Sequence, residues 1–436
     1  MGTDVATRLQ ELQEWFLIHE VGEKEIFVAG FLIFMALLIV LLAKKIKIPI
    51  VVGYVFLGIL LSINIVDWLP FLTPAQKEWY AFTLENFDYV THIALGFIAF
   101  TIGSELAVKT LKKLGTSIIF IVIFETLGAF TLVTGAVLAI GKPLYLGLLL
   151  GGIAAATAPA ATVMVLKEYN AEGQLTSMIM AVVGIDDALA LIIFSLIKPI
   201  ALIQFAGSGD IHIVNVLIKP LGEIIGSIGS GLLIGYISQN LMLSFEDKTK
   251  KILTLVSTIV GSSALAITFN LSPLITNMSI GFAYRNFARK NPRIADYMDT
   301  LTTPLYAMFF ILAGTEIRFD SIASGSFLLL AFIYITARII GKVGGSSLAA
   351  WLTDAPEKIK KYVGLGLFPQ SGVAIALAYT VQKEFTGEPN VGLLVFNILL
   401  FTAAMTEVIG PFATKYAIFS AGEAREEKEI VHKVSS

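Results

Sequence analysis

Thirteen stretches of mainly apolar residues follow one another along this chain, each near the length of about 20 residues that a helix needs to cross a bilayer. They run roughly over 26–43, 48–66, 88–103, 116–140, 144–166, 175–197, 213–240, 251–269, 272–287, 301–314, 326–349, 362–382 and 391–417. Hydrophobic residues make up 56% of the 436 and charged ones only 15%, whereas a soluble domain has about 45–50% and about 25%. The apolar excess must face lipid, so the expected fold is an all-α polytopic membrane protein of about thirteen transmembrane helices. Residues 26–417 form the transmembrane domain, preceded by an interfacial segment over 1–25 and followed by a short charged tail over 418–436.

Charge and composition exclude several functions. The net charge of −2 offers no basic field for nucleic acid, and the absence of cysteine removes disulfides, thiol catalysis and thiolate metal sites. The four histidines, His19, His92, His212 and His432, lie at or near loops and termini without the spacing of a metal site. Neither an enzyme nor a cofactor is expected.

Orientation follows from the loops, because basic residues are retained on the cytoplasmic side. The odd-numbered connections hold 17 Lys and Arg, from Lys44, Lys45 and Lys47 to Lys358, Lys360 and Lys361. The even-numbered ones hold five: Lys77, Lys142, Lys198, Arg318 and Lys383. The N-terminus is therefore expected outside, the C-terminus in the cytoplasm, and the protein in the cell (inner) membrane.

Fragments recur in order. Phe100-Thr101-Ile102-Gly103-Ser104-Glu105-Leu106 is similar to Ile311-Leu312-Ala313-Gly314-Thr315-Glu316-Ile317, each ending a short span. Pro159 follows Gly103 by 56 residues and Pro369 follows Gly314 by 55, both prolines in mid-span among small residues. The halves are thus about 26–197 and 251–417, joined by a linker helix near 213–240. An offset of seven spans is odd, so equivalent helices run in opposite directions. Inverted repeats with Gly/Pro-interrupted segments at matching positions mark the binding site of secondary transporters. Spans five and twelve are the expected broken helices, because proline removes a backbone donor and clashes with the preceding turn.

Charges at bilayer depth cost about 2.5–3.5 kcal/mol or more each and are functional candidates by default. Asp186-Asp187 has about ten apolar residues on either side. Neighbours on a helix diverge by about 100°, so one acid faces an aqueous cavity while the other turns toward a cation. Glu125, Arg338 and Lys342 complete the set. Glu125 and Arg338 are near-equivalents in the repeat, 22 residues after Gly103 and 24 after Gly314, and are expected to pair. Lys342 shares the face of Arg338 and reaches either Asp186 or water. Glu223 and Glu407 are expected at solvated cavity edges.

Ala156-Thr157-Ala158-Pro159, followed about 27 residues later by Asp186-Asp187, resembles the monovalent cation/proton antiporter superfamily, in particular its second, Asp-Asp branch of sodium/proton antiporters. Ala337-Arg338-Ile339-Ile340-Gly341-Lys342 and Pro369-Gln370-Ser371-Gly372-Val373-Ala374 resemble the same branch. The resemblance implies a homodimer whose protomers each set a dimerisation domain beside a core domain with two crossed, broken helices. It implies that Asp187 binds the cation and carries the proton, that Asp186 assists and that Thr157 supplies oxygen near the break. Arg338 or Lys342 would oppose the acids. With only a short tail after Tyr416, no nucleotide control is implied.

The chemistry is competition for one carboxylate: ionised, Asp187 offers hard oxygen to Na⁺, Li⁺ or K⁺; protonated, it is neutral. The monovalent cation, the proton and membrane lipid are then the partners. A sodium-coupled symporter of an organic anion is the alternative, but it calls for hydroxyl- and amide-rich sites where adjacent acids dominate here. An intramembrane aspartyl protease needs two carboxylates about 3 Å apart, which neighbours on one helix do not supply. A channel would show no saturable counterflow.

Overall fold

A computed structural model describes residues 21–46, 50–69, 72–85, 87–108, 115–206, 218–287, 294–315, 325–370, 372–387 and 390–424. Among them there is helix and no strand. In chain order the elements are α1 Val21–Ile46, α2 Ile50–Leu60, α3 Ile63–Trp68, α4 Pro74–Glu85, α5 Asp88–Glu105, α6 Thr116–Ala139, α7 Leu144–Ala154, α8 Pro159–Glu168 and α9 Gln174–Ala206. There follow α10 Lys219–Ser244, α11 Lys248–Thr268, α12 Pro273–Asn286, α13 Ile294–Thr315, α14 Gly325–Leu352, α15 Glu357–Tyr362, a 3-10 turn over Val363–Leu367, α16 Gly372–Glu384 and α17 Val391–Ser420.

Every expected span has a helical counterpart, but among the described residues eight helices are long and apolar enough to cross a membrane, or nine with one bent pair. The full count of thirteen crossings is therefore not reached. The shortfall has a local cause in each case: Leu61 and Ser62 divide the second span into α2 and α3, both mid-span prolines divide theirs, α12 is only 14 residues long, and the apolar part of α13 is confined to Thr300–Thr315. Helix α4 lies where the sequence offered a loop. The first helix starts at Val21, but its apolar span runs over Ile26–Ala43 as expected, and the last span runs to Ser420 rather than 417. The expected interfacial helix falls mostly on residues 1–20, and most of the tail on 425–436, both outside the described residues.

The chain divides into two units, residues 1–94 with 301–319 and residues 95–300 with 320–436. This division cuts across the sequence repeats, because each half lends a helix to the other. In the first unit α2 crosses the end of α13, and a Cβ on Gly58 would run into the carbonyl of Ile311, while one on Gly314 would meet that of Val55. In the second unit α12 crosses the end of α5 in the same way: Gly281 lies on the carbonyl of Phe100, and Gly103 on that of Met278. Phe100 and Gly103 are the repeat equivalents of Ile311 and Gly314. The recurring peptide therefore makes the same close crossing twice, once in each unit, and this is the inverted repeat seen in three dimensions. Helices approach this closely only where no side chain intervenes, as small-residue interfaces in membranes do.

The second unit holds the charged residues. Helices α6 and α14, equivalents in the repeat, lie against each other where Gly128 meets the carbonyl of Gly341 and Gly341 meets that of Gly128. Outward faces carry large apolar side chains, such as Phe120 and Ile123 on α6 and Leu328 and Phe332 on α14.

Candidate functional site

The broken helices cross at their breaks. Helix α7 ends at Ala154 and α8 begins at Pro159; the 3-10 turn ends at Leu367 and α16 begins at Gly372, with a bend of 46° between the halves. The amide of Ala158 donates to the carbonyl of Pro369 at 2.9 Å, which joins one break to the other. The hydroxyl of Thr162 donates to the carbonyl of Gly366 at 2.8 Å and secures the same crossing.

A broken helix leaves its last carbonyls without amide partners, and in a membrane water does not make up the loss. Here Arg338 supplies the donors. Its Nε donates to Ala154 O at 3.1 Å, one terminal nitrogen to Phe368 O at 2.6 Å, and the other to Ala156 O at 2.8 Å and Pro369 O at 3.4 Å. A single fully buried guanidinium thus closes the carbonyl ends of both half-helices, where the helix dipole also favours a cation. Gln370 adds a donor to Ile153 O at 3.0 Å, and its amide is held by the Tyr334 hydroxyl.

This corrects the expected Glu125–Arg338 pair. Glu125 is bound by Lys342 at 2.7 Å, while Arg338 goes to carbonyls. The repeat placed Glu125 and Arg338 at equivalent positions, but the helices cross at Gly128 and Gly341. That register brings the residue one turn further along α14 opposite Glu125.

Lys342 is also fully buried, and besides Glu125 it donates to Ala155 O at 2.6 Å and to Thr157 Oγ1 at 2.7 Å. Asp186 Oδ2 lies 3.4 Å from the same ammonium. Of the two candidate cations, it is Lys342 that reaches the acids directly.

Asp186 and Asp187 lie in α9, 0% and 6% exposed. Asp187 Oδ1 accepts from the amide of Thr157 at 3.2 Å, an amide left free by the break. Asp186 Oδ1 is buried and meets no hydrogen-bond partner. The arrangement therefore offers carboxylate oxygens beside an interrupted helix, one of them unpartnered, with Thr157 next to both acids' partners.

Pro159 marks the N-terminus of α8, and Pro369 packs against Gly410 of α17, where a Cβ would strike its ring. Glu407 is 2% exposed, so it is not at a solvated edge, whereas Glu223 is half-buried. Two contributors escaped sequence reading. Tyr334 stands one turn before Arg338 on the same face, and Gln370 follows the mid-span proline; a polar residue in each place was the available signal.

Residues 31–417 match the family model described as sodium/hydrogen exchanger, transmembrane. A Na(+)/H(+) antiporter, NhaH of Halobacillus aidingensis, is 22% identical over 377 residues, covering 84% of this chain and 91% of the relative. ApNhaP, a Na(+)/H(+) antiporter of Aphanothece halophytica, is 26% identical over 280 residues, 60% of this chain and 51% of its own length. Among solved structures, the sodium proton antiporter MjNhaP1 from Methanocaldococcus jannaschii matches with a TM-score of 0.70 at 18% identity, over 92% of this chain and 99% of that one. The match extends the likeness in fold to nearly the whole length. With the family model covering almost all of the helical region, the chain is an integral membrane protein that belongs to the transmembrane sodium/hydrogen exchanger family.

Proposed function

We propose that this protein exchanges a monovalent cation for protons by alternating access, with Asp187 as the group that the two ions share. The observation that carries the reading is the acid pair itself: Asp187 is bound to the broken helix through the Thr157 amide, and its neighbour Asp186 presents a buried oxygen without a partner. An unpaired buried acceptor costs about 1–3 kcal/mol, more when charged, and a desolvated cation recovers that cost. Thr157 stands close enough to add oxygen. Protonation of Asp187 removes the charge that holds the cation, so either ligand expels the other.

Na⁺ is the proposed ion, with Li⁺ and K⁺ as competitors. The proposed setting is a homodimer in the cell membrane, N-terminus outside and C-terminus in the cytoplasm. The relatives named above as Na(+)/H(+) antiporters support exchange, and nothing favours the sodium-coupled symporter. The test uses proteoliposomes with an internal pH dye. Na⁺, Li⁺ or K⁺ added outside should dissipate an imposed proton gradient in the wild type and not in Asp187→Asn. No response to any of the three ions from folded protein would refute the reading.

A further inference from the structure

The stripe of α9 that carries Asp187 is open on one side of the acid and closed on the other. Met180, Gly184, Asp187, Leu191, Phe194 and Lys198 follow at helical spacing and share one face. Toward the N-terminus of the helix Met180 is 49% exposed, and a Cβ on Gly184 would meet nothing within 4 Å. Past Asp187, Leu191 is 2% exposed and Phe194 3%. Helix α9 packs chiefly on α6 and α7, whereas α10, α11 and α12 pack chiefly on one another and meet α9 only along a thin seam with α10 and α12. Lys198 ends the closed stretch. It donates to Glu384 Oε1 at 2.8 Å, and both side chains are partly exposed. Glu384 ends α16, which packs on α17 and α7 in the bundle of α9. Glu223, half-buried near the start of α10, belongs to the other bundle and lies within electrostatic reach of both, acting most strongly with Lys198.

We propose that Lys198, shared between Glu384 of its own bundle and Glu223 of the other, is a latch that holds the C-terminal end of the Asp187 stripe closed and lets go of Glu223 each time that end opens. The inference rests on the alternating-access reading above, which requires each end of the stripe to open in turn. Leu191 and Phe194 bar the closed end, and the latch lies one turn beyond them. It works by sharing one ammonium. Parting of the seam takes Glu223 away from Lys198 without leaving the lysine alone, because Glu384 travels with it. Glu223 therefore gives the closed state an attraction that the open state lacks. Glu384 holds the lysine in both states, and its charge repels Glu223 only while the seam is shut. The two acids act in opposite directions, Glu223 favouring closure and Glu384 opposing it. Ion pairs between partly exposed side chains are weak, so such a latch biases the closed state and still yields in every cycle.

The chain contains no cysteine, so a single one reports access without background. Ser195→Cys places it half-buried, one turn before Lys198. In proteoliposomes without any ion gradient, a membrane-impermeant thiol reagent is added on the side where α9 ends, the outer side in the orientation proposed above, and the labelling rate is recorded. Adding Glu223→Gln or Lys198→Gln should speed labelling about two- to fivefold, the size of effect that a partly exposed ion pair supplies. Glu223→Asp should stay near the parent, and Glu384→Gln should slow labelling, because it gives Lys198 wholly to Glu223. Exchanging the charges, Glu223→Lys with Lys198→Glu, should restore the parent rate. Equal rates in Glu223→Gln and the parent, or faster labelling in Glu384→Gln, would overturn the proposal. The parent alone offers a test that depends on no latch variant folding: concentrated choline chloride should speed its labelling by screening the latch, and sorbitol of equal osmolarity should not. Absence of that salt effect overturns the proposal equally. These rates judge the latch by itself, since no transport is needed to read them. Folded wild type without any cation-dependent proton flux would instead remove the exchange reading, and the latch's place in a transport cycle with it.

Discussion

The amide of Ala158 and the carbonyl of Pro369 join the two helix breaks in one hydrogen bond of 2.9 Å, although the residues lie in opposite halves of the repeat. Around that bond the membrane interior carries backbone that no helix satisfies. The guanidinium of Arg338 and the ammonium of Lys342 are the principal compensation, which is why two cations sit fully buried beside only a few acids.

Arg338→Ala should therefore impair folding more than ion selectivity. It frees the carbonyls of Ala154, Ala156 and Phe368 at once, and buried acceptors left unpaired cost about 1–3 kcal/mol each. The expected result is a loss of several degrees in the thermal midpoint in detergent, with Arg338→Lys intermediate because one ammonium cannot span the same fork of acceptors. A midpoint equal to wild type would argue against the role.

Lys342 and Glu125 should be energetically coupled. Removing one partner of a buried ion pair costs about 3–5 kcal/mol, because the other is left charged and alone. Lys342→Met and Glu125→Gln are each expected to lower stability, and the double variant to lower it by less than the sum. Additive effects in such a cycle would mean that the 2.7 Å contact is not a working pair.

Acidification should weaken cation binding. Proton and cation exclude each other on Asp187, so once that carboxyl is mostly protonated, each unit fall in pH should raise the apparent KM for Na⁺ about tenfold, by linkage of one proton. The sign is fixed by the charge: the proton abolishes the site's negative charge, and alkaline pH restores it. A KM that falls with acidification, measured by dye quenching in proteoliposomes over a range of pH, would contradict the competition.

Glu423 should stabilise the N-terminus of α9. Its carboxylate accepts from the amides of Leu175 at 3.0 Å and Thr176 at 2.8 Å and from the Thr176 hydroxyl at 2.9 Å, which caps the helix that carries the acid pair. Read from the sequence, this residue belonged to a charged tail. Loss of a cap costs about 0.5–2 kcal/mol, so Glu423→Ala should lower the thermal midpoint modestly and Glu423→Gln less. Hydrogen exchange confined to the first turn of α9 would locate the effect.

Several features were decided along the chain alone. The apolar runs required lipid, the recurring Gly-x-Glu and mid-span prolines required an inverted repeat with two interruptions, and the adjacent acids at bilayer depth pointed to ion chemistry. These are local in origin: run length, spacing and the cost of burying charge are properties of short segments. Partners were a different matter. Equivalent positions in the repeat favoured Glu125 with Arg338, yet the close crossing of α6 and α14 at Gly128 and Gly341 sets a register that delivers Lys342 to Glu125 and leaves Arg338 facing the carbonyls of both breaks. Which cation meets which acid depends on the approach of helices more than two hundred residues apart in sequence, and backbone carbonyls have no letter in the sequence to announce their need for a donor. Only the folded chain brings them to the same guanidinium.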